Sequence, residues 1–433
     1  MKKFKKITAA CLTACMMATS LAACGQSGAT GSTAGSAAGS QGTTAEETTI
    51  TYWYWADNDD YAKTMEEMVA DFNATNGKGI TVVAEQQPWD GGGYSTNLLN
   101  AAIGGGGPDV ASFKLTATPS FVANNLLANL DPYLETWEDK TDIADNLWNI
   151  MKEASGTESV YVMPWNTQIL YVYYRPSMFE APGIEVPTTY EEFLNACKEL
   201  TVDTDGDGKI DQYGFSMRGA SGGQEPWGSF IYAAGGSFED LTSEGSVKGM
   251  QDFIDLYTNG YVPETAPNDG FQETIETNFK SGKCAMVIHH TGSYKGMVET
   301  FGDDVAAFQF PAGEGRWTSM GDTENVMLET CENKEAAFEW MKYLATGKGQ
   351  ETWCTVTGNV PVSTRVQQMD EFQNNVFMKA SIEGIDFAGI LPILDTTSDW
   401  ISNIWPSTVQ QALLGQITAE EAMQTLQTGL WGE

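Results

Sequence analysis

The chain has 433 residues, with 58 acidic side chains against 23 lysines and arginines and a formal charge of -35. Nucleic acid and anionic headgroups are excluded as partners, because so acidic a body is repelled by both. The length exceeds what one hydrophobic core serves, so two lobes are expected.

The opening stretch, MKKFKKITAACLTACMMATSLAAC, reads as a basic segment, a short apolar run and small residues ending at Cys24. It is too short and wrongly flanked for a spanning helix, and residues 1–23 are expected to be a signal peptide. Leu21-Ala22-Ala23-Cys24 resembles a bacterial lipobox, which implies cleavage before Cys24 and lipid attachment to its sulfur. Residues 24–48 are mostly Gly, Ser, Ala, Thr and Gln. Such a segment cannot bury enough apolar surface to fold, and it is expected to be a tether of roughly 25 to 30 Å. No later stretch reaches about 18 consecutive apolar residues, so the body is expected outside the membrane.

The body opens with TITYWYW, where Tyr52 and Tyr54 face one side of a strand and Trp53 and Trp55 the other. With both faces apolar, this reads as a central strand of a parallel sheet, buried on both sides. Ligands of open α/β sheets sit beyond the carboxyl ends of the strands, which places Trp55, Asp57 and Asn58 at a cleft mouth. A helical YAKTMEEMVADFNATN, a strand-like GITVVAEQQ, a helical YSTNLLNAAIGG and then PDVASF complete a β-α-β-α-β order, the grammar of right-handed βαβ units. In TTYEEFLNACKELT, Thr188 is the expected helix cap, with Glu191 three residues on. Cys197, Cys284, Cys331 and Cys354 are expected to be free thiols, since a two-lobe core needs no disulfide.

Enzyme readings find little support. The chain has two histidines, the adjacent His289 and His290, no G-x-S-x-G, no H-E-x-x-H and no phosphate-binding G-x-x-x-x-G-K-[ST]. Adjacent strand residues point oppositely, so the two histidines are not expected to chelate one metal. Thirteen tryptophans together with many carboxylates suit a polyol: flat rings meet C–H faces, and charged acceptors hold hydroxyls by hydrogen bonds worth about 1.5 to 3 kcal/mol. DTDGDGKIDQYG supplies Asp203, Asp205, Asp207 and Asp211 at relative positions 1, 3, 5 and 9 with glycine at 6, which resembles an EF-hand calcium loop. Position 12 is Gly214 instead of a bidentate glutamate. Structural calcium away from the cleft is one reading, and an acidic turn held by Asx hydrogen bonds is the other.

Several segments in order, GGGGPDV at 104–110, LLANLDPYL at 126–134, VYVMPWNTQILYVYYRPSMFEAPGIEVPTTYEEFLNACKEL at 160–200, FKSGKCAMVIHHTG at 279–292, NKEAAFEWMKYLATGKGQE at 333–351, GNVPV at 358–362 and QQALLGQITAEEAM at 410–423, resemble the bacterial extracellular solute-binding proteins of the maltose-binding type. The resemblance implies a periplasmic-binding-protein-like α/β fold of two lobes, 49–163 with 313–347 and 164–312 with 348–433. Crossovers are then expected near Pro164–Gln168, Pro311–Gly313 and Thr346–Thr352, with hinge closure as the working step. It implies a monomeric receptor of an ABC importer, lipid-anchored on the extracellular face of the membrane, passing a carbohydrate to permease subunits with a separate ATPase. A non-sugar solute such as a peptide or polyamine, or a secreted carbohydrate-active enzyme, are the alternatives.

The same resemblance nominates ligand-binding residues. These are Trp55, Asp57 and Asn58 after the first strand, Gln87 and Trp89 after the second, and Phe113 and Lys114 after PDV. Trp165, Asn166 and Gln168 follow at the first crossover. Glu225 and Trp227 in GQEPWG are the pair matching the family most closely. Gly292 or Tyr294 falls near the place of a family tryptophan, in the segment that departs most from the family; one of the preceding His289 and His290, here His290, is a candidate donor to a sugar hydroxyl, and Trp400 or Trp405 completes the set. Thr116 and Thr118 stand where the family has an acidic and a basic residue, a departure that puts the usual contacts of that loop in doubt.

Overall fold

The TITYWYW segment does form a strand, β1 (Thr48–Tyr54), followed by α1 (Asp59–Thr75), β2 (Ile80–Gln86), α2 (Gly93–Ile103) and β3 (Val110–Phe113). This is a computed structural model that describes residues 47–56, 58–89 and 93–432, all within one compact unit. The expected signal peptide, Cys24, nearly all of the tether and Asp57 lie outside the described residues. Both β2 and β3 pair with β1 in parallel, so β1 is central, as its apolar run requires. Its two faces differ, however. Ile50, Tyr52 and Tyr54 are fully buried, while Trp53 is only half-buried, its indole N–H donating to Glu85 at 3.0 Å. Trp keeps a polar handle, and a partner at the surface lets it stop short of the core.

The later strands are β4 (Val162–Tyr174), β5 (Tyr213–Ser216), β6 (Cys284–His290), β7 (Ala306–Phe308), β8 (Thr318–Met327), β9 (Val360–Pro361) and β10 (Ala388–Gly389). They continue the sheet in the order β2-β1-β3-β8-β4-β6-β5, with β7 and β9 on β4 and β10 on β8. The long antiparallel pair β4–β8 carries the chain from one lobe to the other. Along β4 the change falls between neighbours: Ile169 packs in the core around β1, and Leu170 in the core around β5 and β6. A third, smaller core gathers Tyr171, Tyr173, Phe279 and Phe377.

The other two crossings differ from the expected places. Trp317 belongs to the second core and Met320 to the first, so the chain recrosses within β8 instead of at Pro311–Gly313. Trp353, Cys354, Val360, Val366 and Ile385 all pack in the first core, so much of 348–388, expected in the C-terminal lobe, belongs with β1. The final crossing follows β10, where Ile390 and Ile393 still pack against the first core while Leu391 and Leu394 pack against the second. Gly347 does end a helix, but a second helix, Gly347–Thr357, starts at once and folds back on the same core. A helix stop in the sequence marks a turn, and only packing decides which core the next helix serves.

Helix Tyr190–Glu199 is capped one residue later than expected. Thr189 accepts from the Glu192 N–H, and Glu192 accepts from the Thr189 N–H in return, a capping box with the same spacing shifted by one. All four cysteines of the body are free and buried.

One buried carboxylate ties distant pieces of the first lobe together. Asp142 accepts hydrogen bonds from the hydroxyls of Ser363 and Thr364 and from the Arg365 backbone N–H, with the Arg365 Nε at 3.1 Å. Burial by itself raises its pKa, yet these donors outweigh burial and hold it below the ordinary carboxylate value. A depressed folded pKa means the stabilisation is present above the unfolded value of about 4 and is lost as pH falls through the folded one. Asp142→Ala is therefore expected to cost about 3 kcal/mol at pH 7 in urea melts, a deficit that shrinks below pH 4. A deficit independent of pH would show that the loss is one of packing.

Candidate functional site

Between the lobes, against the β4–β8 pair, lies a cleft with a cavity of about 480 Å³. Of the expected residues, Trp55, Trp89, Lys114, Trp165, Asn166, Gln168, Glu225 and His290 line it. The first lobe supplies an aromatic wall. Trp55 meets Trp89 and Tyr94, each at 4.9 Å between ring centroids, and the Lys114 ammonium stands over Trp55 at 5.5 Å and Trp89 at 5.9 Å. Deeper in, Trp165 and Trp353 pack at 4.7 Å, and neither buried indole N–H has a hydrogen-bond partner. Unpaired donors in a cavity wall are costly unless something fills the cavity and accepts from them.

The floor is polar and belongs to the crossing strands. Asn359 donates to Asn166 at 2.7 Å and accepts from Gln168 at 3.2 Å, which fixes three amides side by side. On the second lobe stand Arg218, Glu225, Phe271 and His290. A second cavity of about 400 Å³ shares Glu225, Ser319 and Gly321 with the first and is walled by Leu115, Ile390, Leu394 and Ile401. The cleft thus has a polar, aromatic half and an apolar extension.

Other expected residues are placed elsewhere, each for a local reason. Asn58 caps α1, accepting from the Tyr61 N–H at 3.0 Å. Gln87 extends the β1–β2 pairing, its N–H donating to Tyr54 at 2.7 Å, and it does not line the cavity. Phe113 is buried edge-on against Phe121. Trp227 is buried against Trp400, Trp405 and Phe238. Two residues along a helix are about 200° apart, so Glu225 can face the cleft only if Trp227 faces the core. Trp400 donates to Leu426 at 3.0 Å and is buried, as is Trp405. Tyr294 stacks on Phe377 at 5.4 Å, away from the cavity.

His289 and His290 do not diverge as adjacent strand residues are expected to. Their rings lie 4.5 Å apart, because β6 ends at His290 and the chain enters the 3-10 turn Thr291–Ser293, where strict alternation stops. His289 Nδ1 is 2.9 Å from the Ser293 hydroxyl. Burial, then the neighbouring His290 and Arg218, hold His289 well below the ordinary imidazole value. Burial, then Arg218 and Lys114, push His290 down to about 4. Both rings are neutral at pH 7.

Arg218, Phe271, Trp353 and Asn359 are cleft residues that sequence reasoning missed. Arg218 stands two residues beyond the end of β5, the same carboxyl-end position that nominates Trp55, so the strand rule was able to find it. Trp353 and Asn359 come from the helix Gly347–Thr357 and the turn after it, which no local pattern links to the cleft.

The acidic loop lies elsewhere and is exposed. Carboxylate oxygens of Asp203, Asp205 and Asp211 fall within 4.8 Å of one another, whereas Asp207 turns to Lys209 at 3.4 Å. Asp203 accepts from the N–H groups of Gly206 and Gly208, each at 2.8 Å. These carboxylates offer three of the six to eight oxygens that calcium takes. The twelfth position does not complete the set, since a Cβ on Gly214 would stand 2.0 Å from the Cys197 carbonyl oxygen and no glutamate is accommodated there.

The solved structures that this chain resembles include solute- and sugar-binding proteins. A solute-binding protein from Thermotoga lettingae, solved with α-D-tagatose, is 22% identical over 88% of this chain and 98% of its own, with a TM-score of 0.67. The sugar-binding protein MalE from Xanthomonas citri is 17% identical over 88% of this chain and 96% of its own, with a TM-score of 0.74. At these identities the likeness is one of fold. In sequence, a mannitol-binding protein from Pseudomonas aeruginosa is 28% identical over 152 residues, 33% of this chain and about a third (34%) of that protein's length. Residues 67–380, well over half of the chain, match the model of the bacterial extracellular solute-binding proteins, and the chain belongs to that family.

Proposed function

We propose that this protein is the carbohydrate receptor of an ABC importer, closing its two lobes on an oligosaccharide and presenting it to permease subunits powered by a separate ATPase. One observation carries the reading: the inter-lobe cleft pairs exposed indole faces with a floor of fixed amides and a carboxylate, Glu225. Apolar ring faces and hydroxyl edges are the two surfaces a sugar presents, and such a wall and floor match both. Relatives that bind tagatose, mannitol and maltodextrins support it. Binding without turnover is part of the proposal. Calorimetry over a panel of neutral and acidic saccharides, with peptides and polyamines alongside, tests it. Binding of a peptide or polyamine and no saccharide sinks the reading, and release of reducing ends from a bound sugar over hours sinks the receptor role.

The proposal extends to the anchor and the acidic loop. Cys24 carries lipid after removal of residues 1–23, holding the receptor at the outer face of the membrane; among the described residues no helix is long and apolar enough to cross it. The loop at Asp203, Asp205 and Asp211 takes structural calcium. Repulsion among these carboxylates is relieved by the ion, so the melting temperature rises with calcium, by about 2.7 kcal/mol of stability at a hundredfold excess over the dissociation constant. Asp205→Ala abolishes most of this increment while sugar affinity stays within a few-fold. Melting unchanged by chelator would leave only the Asx turn.

A further inference from the structure

The second lobe places a buried cation in the cleft wall. Arg218 lines the cavity and is only 5% exposed. One of its guanidinium nitrogens donates to the Gly222 carbonyl at 3.1 Å, and its Nε has no partner. The guanidinium lies over Phe271, 5.0 Å from the ring centroid, and the same ring holds His289 at 4.2 Å and His290 at 5.2 Å. Three nitrogens in this cluster, Arg218 Nε, His289 Nε2 and His290 Nδ1, are buried without a hydrogen-bond partner. A guanidinium and two imidazoles around one ring thus keep three buried nitrogens that no protein group satisfies.

Charge points the same way. Among the described residues lining the cavity the charged side chains are Lys114, Arg218 and Glu225, two cations to one carboxylate in a protein of net charge -35. Glu225 shares the wall with Arg218 and acts on its charge, yet the Arg218 Nε keeps no hydrogen-bond partner. Burial lowers the Arg218 pKa and Glu225 raises it again, so the guanidinium stays charged. A metal ion is disfavoured at the histidines by that neighbouring charge, whereas an anion is favoured. The acidic exterior repels anions at long range, but that field is screened beyond about 8 Å at physiological salt, and the cleft cations act at contact.

We infer that the ligand is an acidic oligosaccharide, and that a uronic-acid carboxylate is received by Arg218 and His290 while its neighbouring sugar lies against the tryptophan wall. This rests on the carbohydrate reading and narrows it. A guanidinium can take a carboxylate through two parallel N–H groups, and a neutral imidazole adds one donor. A single hydroxyl oxygen cannot take both prongs of the fork, and it brings no charge to offset the guanidinium, whereas a carboxylate does both.

The test is calorimetry with the full-length protein on matched di- and trisaccharides: galacturonate oligomers against galactose oligomers, cellobiouronate and its trisaccharide against cellobiose and cellotriose, and mannuronate oligomers against mannose oligomers. The acidic member of whichever pair binds is expected to be tighter by about 10- to 100-fold. In Arg218→Gln that ratio should fall toward one, and Arg218→Lys, which keeps a charge without the fork, should fall between. Equal or tighter binding of the neutral member overturns the inference and leaves the carbohydrate reading standing. Binding of no saccharide overturns both. An acid preference that survives in Arg218→Gln removes Arg218 from the role, and the comparison on unsubstituted protein decides the ligand class even where a variant fails to fold.

Discussion

Trp55→Ala is expected to weaken saccharide binding by about 10- to 100-fold while lowering stability little, and Trp227→Ala to do the reverse. The two indoles differ in what they face. Trp55 is half-exposed at the cavity wall, braced by Trp89 and Tyr94 and covered by the Lys114 ammonium, so its ring is already ordered when a sugar arrives. Truncation removes a preorganised contact face and leaves a gap open to solvent. Trp227 is fully buried among Trp400, Trp405 and Phe238, and its loss opens a cavity costing about 3 to 5 kcal/mol. Trp55→Phe should recover part of the affinity, since a smaller ring still offers a π face. Titration calorimetry and thermal melts on both variants check the pair; a Trp55→Ala protein that binds as tightly as the parent would remove the aromatic wall from the binding account.

Gly223→Ala is expected to destabilise the second lobe by about 3 kcal/mol or more and to lower affinity with it. A Cβ at this position would stand 2.2 Å from the Arg218 carbonyl oxygen and 2.5 Å from Cη2 of Trp405. One partner is backbone and the other is a fully buried ring, so neither can give way cheaply. The glycine precedes helix Gln224–Ala233 and lets its first turn lie against Arg218, which puts Glu225 and Arg218 in one wall. By contrast, nothing lies within 4 Å of a Cβ at Gly415, whose φ of +68° is the whole difficulty there. Gly415→Ala should cost only the left-handed strain, about 1 kcal/mol, with affinity unchanged. Equal melting temperatures for the two variants would show that the close approach at Gly223 relaxes.

Local chemistry in the sequence determined most elements and some of the site. The run of four aromatics announced a strand paired on both edges, although only the Tyr52 and Tyr54 face is fully buried. The carboxyl ends of strands are where side chains leave the sheet with backbone groups still unpaired, which is why Trp55 was legible as a cleft residue, whereas Trp89 and Lys114 were nominated by the family resemblance. The spacing T-x-x-E announced a capping box, but two adjacent threonines and two adjacent glutamates satisfy it equally, and the register fell to Thr189 and Glu192. Which face of a helix meets solvent is not written in a dipeptide. Glu225 and Trp227 are two residues apart, and only the packing of Trp400 and Trp405 from residues far along the chain decided that the carboxylate takes the cleft and the indole the core. The same holds for Arg218, His289 and His290 around Phe271, and for Trp353 beside Trp165. Those groups meet through contacts between segments far apart in sequence, and such contacts are set by how whole cores pack, which no local periodicity encodes.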